Sequence, residues 1–243
     1  MKDLLDVHTH TTASGHAYGT LHENILAAKA KGLELVGISD HAPKMPGSAH
    51  EFYFLNAHVI PREFSGVKVM IGVELNIIDY SGSTDLSARA LKSLDYAIAS
   101  LHNPCIDSGS VAENTAALIG AMKNPYVVII GHPDNPTYPV DFEKLAKAAA
   151  DNHILLELNN SSYNLKGYRA GSRENAKLML DACKKFSTSV IMGSDAHIDS
   201  DVGNHSFSQE VLRENNFPDE LVVNCAVKNF LDFVKFRKIL TPS

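Results

Sequence analysis

The sequence predicts an α/β protein in which short buried strands alternate with helices, and three observations carry that reading. Seven apolar runs recur along the 243 residues, helix-start signals lie between them, and six of the seven runs end in a side chain that can bind a metal. The runs are nearly all apolar, as in VVII, ILLEL and VIM, rather than alternating. Parallel strands covered on both faces by crossover helices have this pattern.

The first run, Leu4 to Val7, leads into His8-Thr9-His10. In extended chain, residues two apart face the same side, so both imidazoles can reach one ion. Thr20-Leu-His-Glu23 then fits a capping box, in which a hydroxyl and a carboxylate satisfy backbone donors at a helix start. Lys29-Ala-Lys-Gly32 supplies a cationic last turn and a glycine stop. The second run, Leu35 to Ser39, reaches Asp40-His41, and the third, Val67 to Val73, reaches Glu74. The fourth, Tyr96 to Ser100, precedes Leu101-His102, and Ser110-Val-Ala-Glu113 is a second capping box. The fifth, Tyr126 to Ile130, leads to Gly131-His132-Pro133. The sixth, Ile154 to Leu158, has no ligand type; Asn159, Asn160 and Ser161 after it either line a site or hydrogen-bond the loop. The seventh, Val190 to Met192, leads to Gly193-Ser194-Asp195-Ala196-His197. Gly131 and Gly193 allow close backbone approach beside the ligand segments.

Two stretches interrupt the rhythm at the ligand-bearing end, Pro43 to His50 and Ser161 to Ser172, and are expected to act as lids. Phe217 to Leu240 reads as two helices, with Phe230, Phe233 and Phe236 at the spacing of a core-facing stripe. No repeat, low-complexity tract or composition break divides the chain, which predicts one domain over residues 1–243.

Composition narrows the function classes. Apolar residues make up 44%, enough for a large core, and 22 Lys plus Arg stand against 28 Asp plus Glu, a net charge of −6. No basic arm or lysine stripe is present, which argues against a broad nucleic-acid surface. Cys105, Cys183 and Cys225 are far apart without CxxC spacing, so a disulfide framework or thiolate zinc site is not expected and a reducing compartment is. The N-terminus, MKDLLDVHTH, reaches its first histidines before a signal-peptide hydrophobic region could fit, and no apolar run reaches membrane-span length. These features predict a cytoplasmic protein without membrane partners, and leave its oligomeric state open.

The candidate ligands are His8, His10, His16, His41, Glu74, His102, His132, Asp195 and His197. Seven histidines and two carboxylates exceed what one ion can use, so the count implies two or three metals. Imidazole-rich ligation favours Zn, Mn or Fe over Mg or Ca. Asp40 is expected to hold a ligand imidazole in its tautomer. His22, His50, His58, His153 and His205 fall on helices or loops and read as structural or surface residues.

The order D-x-H-x-H, a loop histidine, S-D-H, G-x-E, L-H, G-H-P and S-D-A-H resembles the PHP (polymerase and histidinol phosphatase) domain family over nearly the whole chain. Small stand-alone bacterial PHP phosphatases are the nearest likeness, through His16 to Leu21, Pro61-Arg62 and Glu157 to Ser162. The resemblance implies a distorted (β/α)7 barrel with three divalent ions, most simply Zn, at the C-terminal ends of the strands. On the matching positions one metal would take His8, His10, Glu74 and Asp195, a second Glu74, His102 and His132, and a third His16, His41 and His197.

Three divalent ions bring six positive charges against two anionic ligands, leaving about +4, and such a site wants a polyanion. The expected reaction is hydrolysis of a phosphate monoester of a small metabolite by a metal-activated water with its pKa lowered toward ~7. Glu74, Asp195 and His197 are the candidate catalytic residues, with the acid for the leaving group open between Asp195 and the imidazoles around His197. Arg62, Arg169 and Lys166 are candidate substrate contacts, with Lys44 a weaker one. The alternatives are a phosphodiesterase or 3′–5′ exonuclease, histidinol phosphate as the substrate, or a non-catalytic zinc-binding module, whose signature would be lost ligands.

Overall fold

A computed structural model describes residues 2–164 and 169–239. The strands are β1 (Leu5–Asp6), β2 (Leu35–Ile38), β3 (Glu63–Phe64), β4 (Val67–Ile71), β5 (Glu74–Asn76), β6 (Ala97–Ser100), β7 (Val127–Ile130), β8 (Leu155–Asn159) and β9 (Val190–Gly193). The helices are α1 (Leu21–Ala30), α2 (Glu51–Leu55), α3 (Ala88–Leu91), α4 (Val111–Ala121), α5 (Phe142–Asn152), α6 (Ser172–Phe186), α7 (Ser206–Glu214) and α8 (Val227–Ile239). Both capping boxes form, at the starts of α1 and α4. The α1 stop forms as well: Gly32 is left-handed at φ 75°, and the Leu33 and Gly32 amides donate back to Ala28 and Lys29.

The strands lie in two sheets, ordered β1-β2-β4-β3 and β5-β6-β7-β8-β9. Every pairing is parallel except β3 with β4. The third apolar run is therefore two strands: β4 stops at Ile71, and Glu74 opens β5 in the other sheet instead of lying past a strand end. Gly72 makes that crossing feasible, because any Cβ there would stand 2.5 Å from the Tyr96 ring. Both residues of the two-residue β3 are exposed and Glu63 is charged, so no apolar run marks it.

Single bridges join the sheets at two places, His41 with Glu74 and Thr9 with Ala196. Backbone bonds reinforce them: Ala42 N to Glu74 O at 2.9 Å, His10 N to Ala196 O at 2.8 Å, and Asp195 N to His8 O at 2.9 Å. His8, His10, His41, Glu74 and Asp195 thus lie at or beside the seams. Inside, Leu5, Leu35, Met70, Ile98, Ile129, Leu155 and Ile191 meet in one buried cluster with Phe230 and Val234 of α8. Burying a side chain of this kind is worth roughly 1.5–3 kcal/mol. The stripe on α8 is only partly core: Phe230 packs edge-on against Tyr96, whereas Phe233 and Phe236 flank His153 and Phe236 is exposed. The segment before α8 forms short helical turns at Asp219–Leu221 and Val223–Cys225 rather than a full helix. Among the described residues no helix is long and apolar enough to cross a membrane.

Candidate metal centre

All nine candidate ligands converge at one end of the strands, around Glu74, whose side chain is buried. Its two oxygens face different imidazoles. Oε1 lies 3.1 Å from Nε2 of His102 and 3.1 Å from Nε2 of His132. Oε2 lies 2.8 Å from Nδ1 of His41, 3.4 Å from Nε2 of His8 and 3.5 Å from Nε2 of His10. Asp195 Oδ1 closes the group from the opposite seam, 3.2 Å from His10 and 3.6 Å from His8. His16 and His197 stand at the mouth with their Nε2 atoms 3.0 Å apart.

Acceptors behind the rings fix which nitrogen faces inward. His8 Nδ1 lies 2.6 Å from Glu157, and His102 Nδ1 lies 2.8 Å from Asn76 Oδ1. His16 and His197 turn Nδ1 to the backbone carbonyls of Ser14 and Asp195, at 3.0 and 2.9 Å. Ser14 Oγ, 3.0 Å from His10 Nδ1, already donates to Asp40, so it accepts from the ring. Carbonyls and carboxylates only accept, so each of these Nδ1 atoms carries the hydrogen and each neutral ring aims a lone pair from Nε2 into the centre.

These residues fit a metal cluster. The buried Nε2 atoms of His8 and His10, Nδ1 of His41 and Oε2 of Glu74 have no hydrogen-bond partner. In folded proteins most buried polar atoms are paired, so four unpaired ones gathered at one place point to a ligand. Lone pairs of His16 and His197 face each other at 3.0 Å, an arrangement that repels unless a cation lies between. Ligand atoms of one tetrahedral Zn ion, bound at about 2.0–2.1 Å, stand roughly 3.3 Å apart, close to the spacings seen here. Three overlapping trios could each hold an ion: His8, His10 and Glu74; His41, Glu74 and His102; His10, His41 and His197.

Charge tells the same story. Burial alone would raise the Glu74 carboxyl, but His102, His8 and His41 outweigh it and hold the group well below the usual range. Burial would lower His8, yet Glu157, Glu74 and Asp195 outweigh it and hold that ring well above its ordinary value. A positive charge belongs at this spot. Burial, followed by His41, holds His10 well below its ordinary value, so the cation wanted there is not its own proton.

Backbone strain collects at two of the nine candidate ligands. His132 and Asp195 have φ of 32° and 54°, in the left-handed region that non-glycine residues seldom occupy. Glycines before them give room. A Cβ on Gly193 would stand 2.1 Å from Glu157 Oε1, and one on Gly131 would stand 2.2 Å from Ser100 Oγ.

Several supporting residues differ from expectation. Asp40 touches no imidazole; it accepts from Thr11, Ser14 and Tyr53, and acts on His10 through Ser14. The carboxylate that orients a ring is Glu157, which also accepts from His132 N at 2.8 Å. A charge inside the apolar run ILLEL was the available signal, since a buried carboxylate needs partners. Asn159 and Ser161 both donate to Asp195 Oδ2, whereas Asn160 accepts from the first amides of α7.

The candidate substrate contacts separate. Arg169 is buried beside the centre, 3.4 Å from Asp195 Oδ2 and 2.9 Å from Ser162 Oγ. Arg62 is elsewhere: it pairs with Asp95 at 2.8 Å and donates to the carbonyls of Ala57 and Ile60. Asp95 precedes β6, so this arginine sits toward the opposite end of the strands. Lys44 does not line the cavity over the centre, and Lys166 lies outside the described residues. Of the five histidines set aside, none joins the centre; His205 is buried between Asp3 and Asp6, and His50 caps α2.

A family model described as the PHP domain matches residues 6–161. A protein described as a probable phosphatase in Clostridium novyi (strain NT) is 47% identical over 237 residues, spanning 98% of this chain and 96% of its own. Another, from Caldicellulosiruptor bescii, is 47% identical over 233 residues, spanning 96% of each chain. Among solved structures, histidinol phosphate phosphatase from Lactococcus lactis, complexed with Zn, L-histidinol and phosphate, aligns with a TM-score of 0.60 at 17% identity. That alignment covers 89% of this chain and 95% of the other, and at such identity the likeness concerns the fold.

Proposed function

The chain belongs to the PHP domain family, and we propose that it is a metal-dependent phosphatase that hydrolyses a phosphate monoester of a small metabolite at a three-metal site. The observation that carries this reading is Glu74, one buried carboxylate with imidazoles on both oxygens, as a ligand shared between ions requires. Divalent ions held there would supply positive charge to the phosphate and lower the pKa of a bound water toward ~7.

The chain's own residues do the rest. His8, His10, Glu74 and Asp195 would hold one ion, Glu74, His102 and His132 a second, and His16, His41 and His197 a third. Zn suits this imidazole-rich set, with Mn and Fe as alternatives. Asp195 accepts from Asn159 and Ser161 and faces two imidazoles, so both oxygens are engaged and it serves as a ligand rather than as proton donor to the leaving group. His197 is engaged in the same way, with Nδ1 on the Asp195 carbonyl and Nε2 turned to the third ion's position, so neither named candidate supplies the leaving group's proton while it serves as a ligand. Arg169 would pair with a phosphate oxygen at the cavity edge.

The fold reading that goes with this function is one domain over residues 1–243, a distorted (β/α)7 barrel. Bridges at both seams and one interior cluster fed by seven strands support it. The testing experiment is a phosphatase screen of metal-free protein reconstituted separately with Zn, Mn and Mg. Hydrolysis of monoesters restored by Zn or Mn is the expected result, and no hydrolysis with any of the three would overturn the reading.

A further inference from the structure

The cavity over the centre holds about 430 Å³, toward the small end of the roughly 300–1,000 Å³ typical of ligand sites. Its floor is the ligand cluster and its charged edge is Arg169. The remaining wall is uncharged: Met45, Leu101 and Pro104 give it apolar faces, and Asn103, Asn135 and Thr137 give it amide and hydroxyl groups. Among the described residues, Arg169 is the one lysine or arginine lining it, and Glu74 and Asp195, both turned to imidazoles, are its carboxylates.

Asn135 shows what this wall asks for. Its side chain is over nine-tenths buried, and its Oδ1 is taken by the Thr137 amide at 3.1 Å. The Nδ2 group has no hydrogen bond within the described residues. An amide donor that has no protein partner at a ligand cavity is met by water or by an acceptor on the ligand.

We propose, resting on the phosphatase reading, that the ester hydrolysed here has a small neutral leaving group rich in hydroxyls, a sugar or polyol monophosphate. Hydroxyl oxygens accept from Asn135 and exchange hydrogen bonds with Asn103 and Thr137, while the C–H faces of the carbon chain lie on Met45, Leu101 and Pro104. Among the described residues, an ammonium on the leaving group would lose its water without meeting a free carboxylate, and a second phosphate would meet no second lysine or arginine. The amino alcohol bound by the Lactococcus lactis structure is therefore a poor guide to this wall. In the reaction, water oxygen bonds to phosphorus, the bond from phosphorus to the ester oxygen breaks with its electron pair on that oxygen, and one water proton ends there. The products are the free polyol and hydrogen phosphate.

The test measures kcat/KM of the metal-loaded enzyme on p-nitrophenyl phosphate, glycerol and hexose monophosphates, phosphoethanolamine, histidinol phosphate, a hexose bisphosphate and nucleoside monophosphates. The polyol and hexose monophosphates are expected to exceed the ammonium-bearing, bisphosphate and nucleotide substrates by at least roughly tenfold. Asn135→Asp keeps the acceptor for Thr137 and replaces the open donor with carboxylate oxygen. It is expected to raise the ratio of phosphoethanolamine to glycerol phosphate at least roughly tenfold. Turnover of p-nitrophenyl phosphate together with equal or better use of ammonium-bearing, bisphosphate or nucleotide substrates would overturn this inference and leave the phosphatase reading standing. An unmoved ratio in Asn135→Asp would overturn it in the same way. No turnover of p-nitrophenyl phosphate under any metal would remove the phosphatase reading, and this inference with it.

Discussion

Replacing Glu157 with Gln isolates how much of the centre's metal affinity is built behind the ligands. The side chain is buried on β8, with Oε1 2.6 Å from His8 Nδ1, and Oε2 accepting from His132 N at 2.8 Å and Asn159 Nδ2 at 3.2 Å. Three donors converge on one carboxylate, and an amide of the same shape can accept on one side only. With its oxygen toward His8, the new NH2 faces two N–H groups. With its NH2 toward His8, the ring must move its hydrogen to Nε2, where the lone pair for the metal has to be.

Either orientation breaks a buried hydrogen bond and removes the charge that raises the basicity of His8. Outer contacts of this kind are worth about 10–100-fold in metal affinity, or ~1.4–2.7 kcal/mol at 1.4 kcal/mol per tenfold. Competition with a chromogenic chelator, on protein whose circular dichroism matches the parent, reads that loss directly. The weakening is expected in the ion held by His8, with the others less affected. Affinity within twofold of the parent for every ion would refute the claim that Glu157 sets the His8 tautomer.

Four further outcomes are expected. Elemental analysis after reconstitution should find close to three transition-metal ions per chain, and one or fewer would end the three-metal reading. Glu74→Gln, which keeps volume and removes the charge between two groups of imidazoles, should lose two ions together and at least roughly 100-fold in kcat; full metal content would disprove sharing. Burial lowers His205, but Asp6 and Asp3 outweigh it and raise the ring to about 10 from 6.5. Its folded pKa is therefore above the unfolded one, so its stabilisation is complete below pH ~6.5 and fades as pH climbs to about 10. His205→Asn should flatten the decline in Tm across that window, and an unchanged pH slope would assign the decline to other groups. Finally, p-nitrophenyl phosphate should outpace its bis ester by at least roughly tenfold, about 1.4 kcal/mol; equal rates, or metal-dependent digestion of single-stranded DNA, would favour a diesterase.

Strand positions, both capping boxes and the set of residues that gather at the candidate centre were legible because each depends on local pattern. Buried parallel strands leave apolar runs, caps have fixed spacing, and histidines past strand ends are rare enough to notice. What escaped depends on register between distant strands. Ser14 and Asn76 are ordinary residues until Ser14 Oγ lies against His10 and Asn76 against His102. Glu157 carried a hint, as did Asp6, each a carboxylate inside an apolar run, but neither shows which group it will meet until β8 is set beside β7 and β1 beside the segment after β9. Arg62 failed for the opposite reason: a dipeptide shared with relatives says nothing about which end of the strands it occupies, and its partner Asp95 is no signal in sequence.

The match to the family model ends at residue 161, yet Arg169, Asp195 and His197 come after it. What brings them back is a polar seam. Asp6 Oδ1 accepts from the amides of both His8 and Ser194, at 3.3 and 3.2 Å, its Oδ2 accepts from Gly203 at 2.7 Å, and His205 braces it from behind at 3.5 Å. Asn224 spans the same gap, donating to Leu5 O and Met192 O. Two segments of the candidate centre, nearly two hundred residues apart, are thus fixed by one buried carboxylate that stands outside it. The backbone strain at Asp195 is held in place by this network, since its amide is tied to His8 O and its carboxylate to Asn159 and Ser161. A left-handed aspartate costs on the order of 1–3 kcal/mol, and hydrogen bonds to both its amide and its carboxylate offset that cost and hold the strained backbone in place.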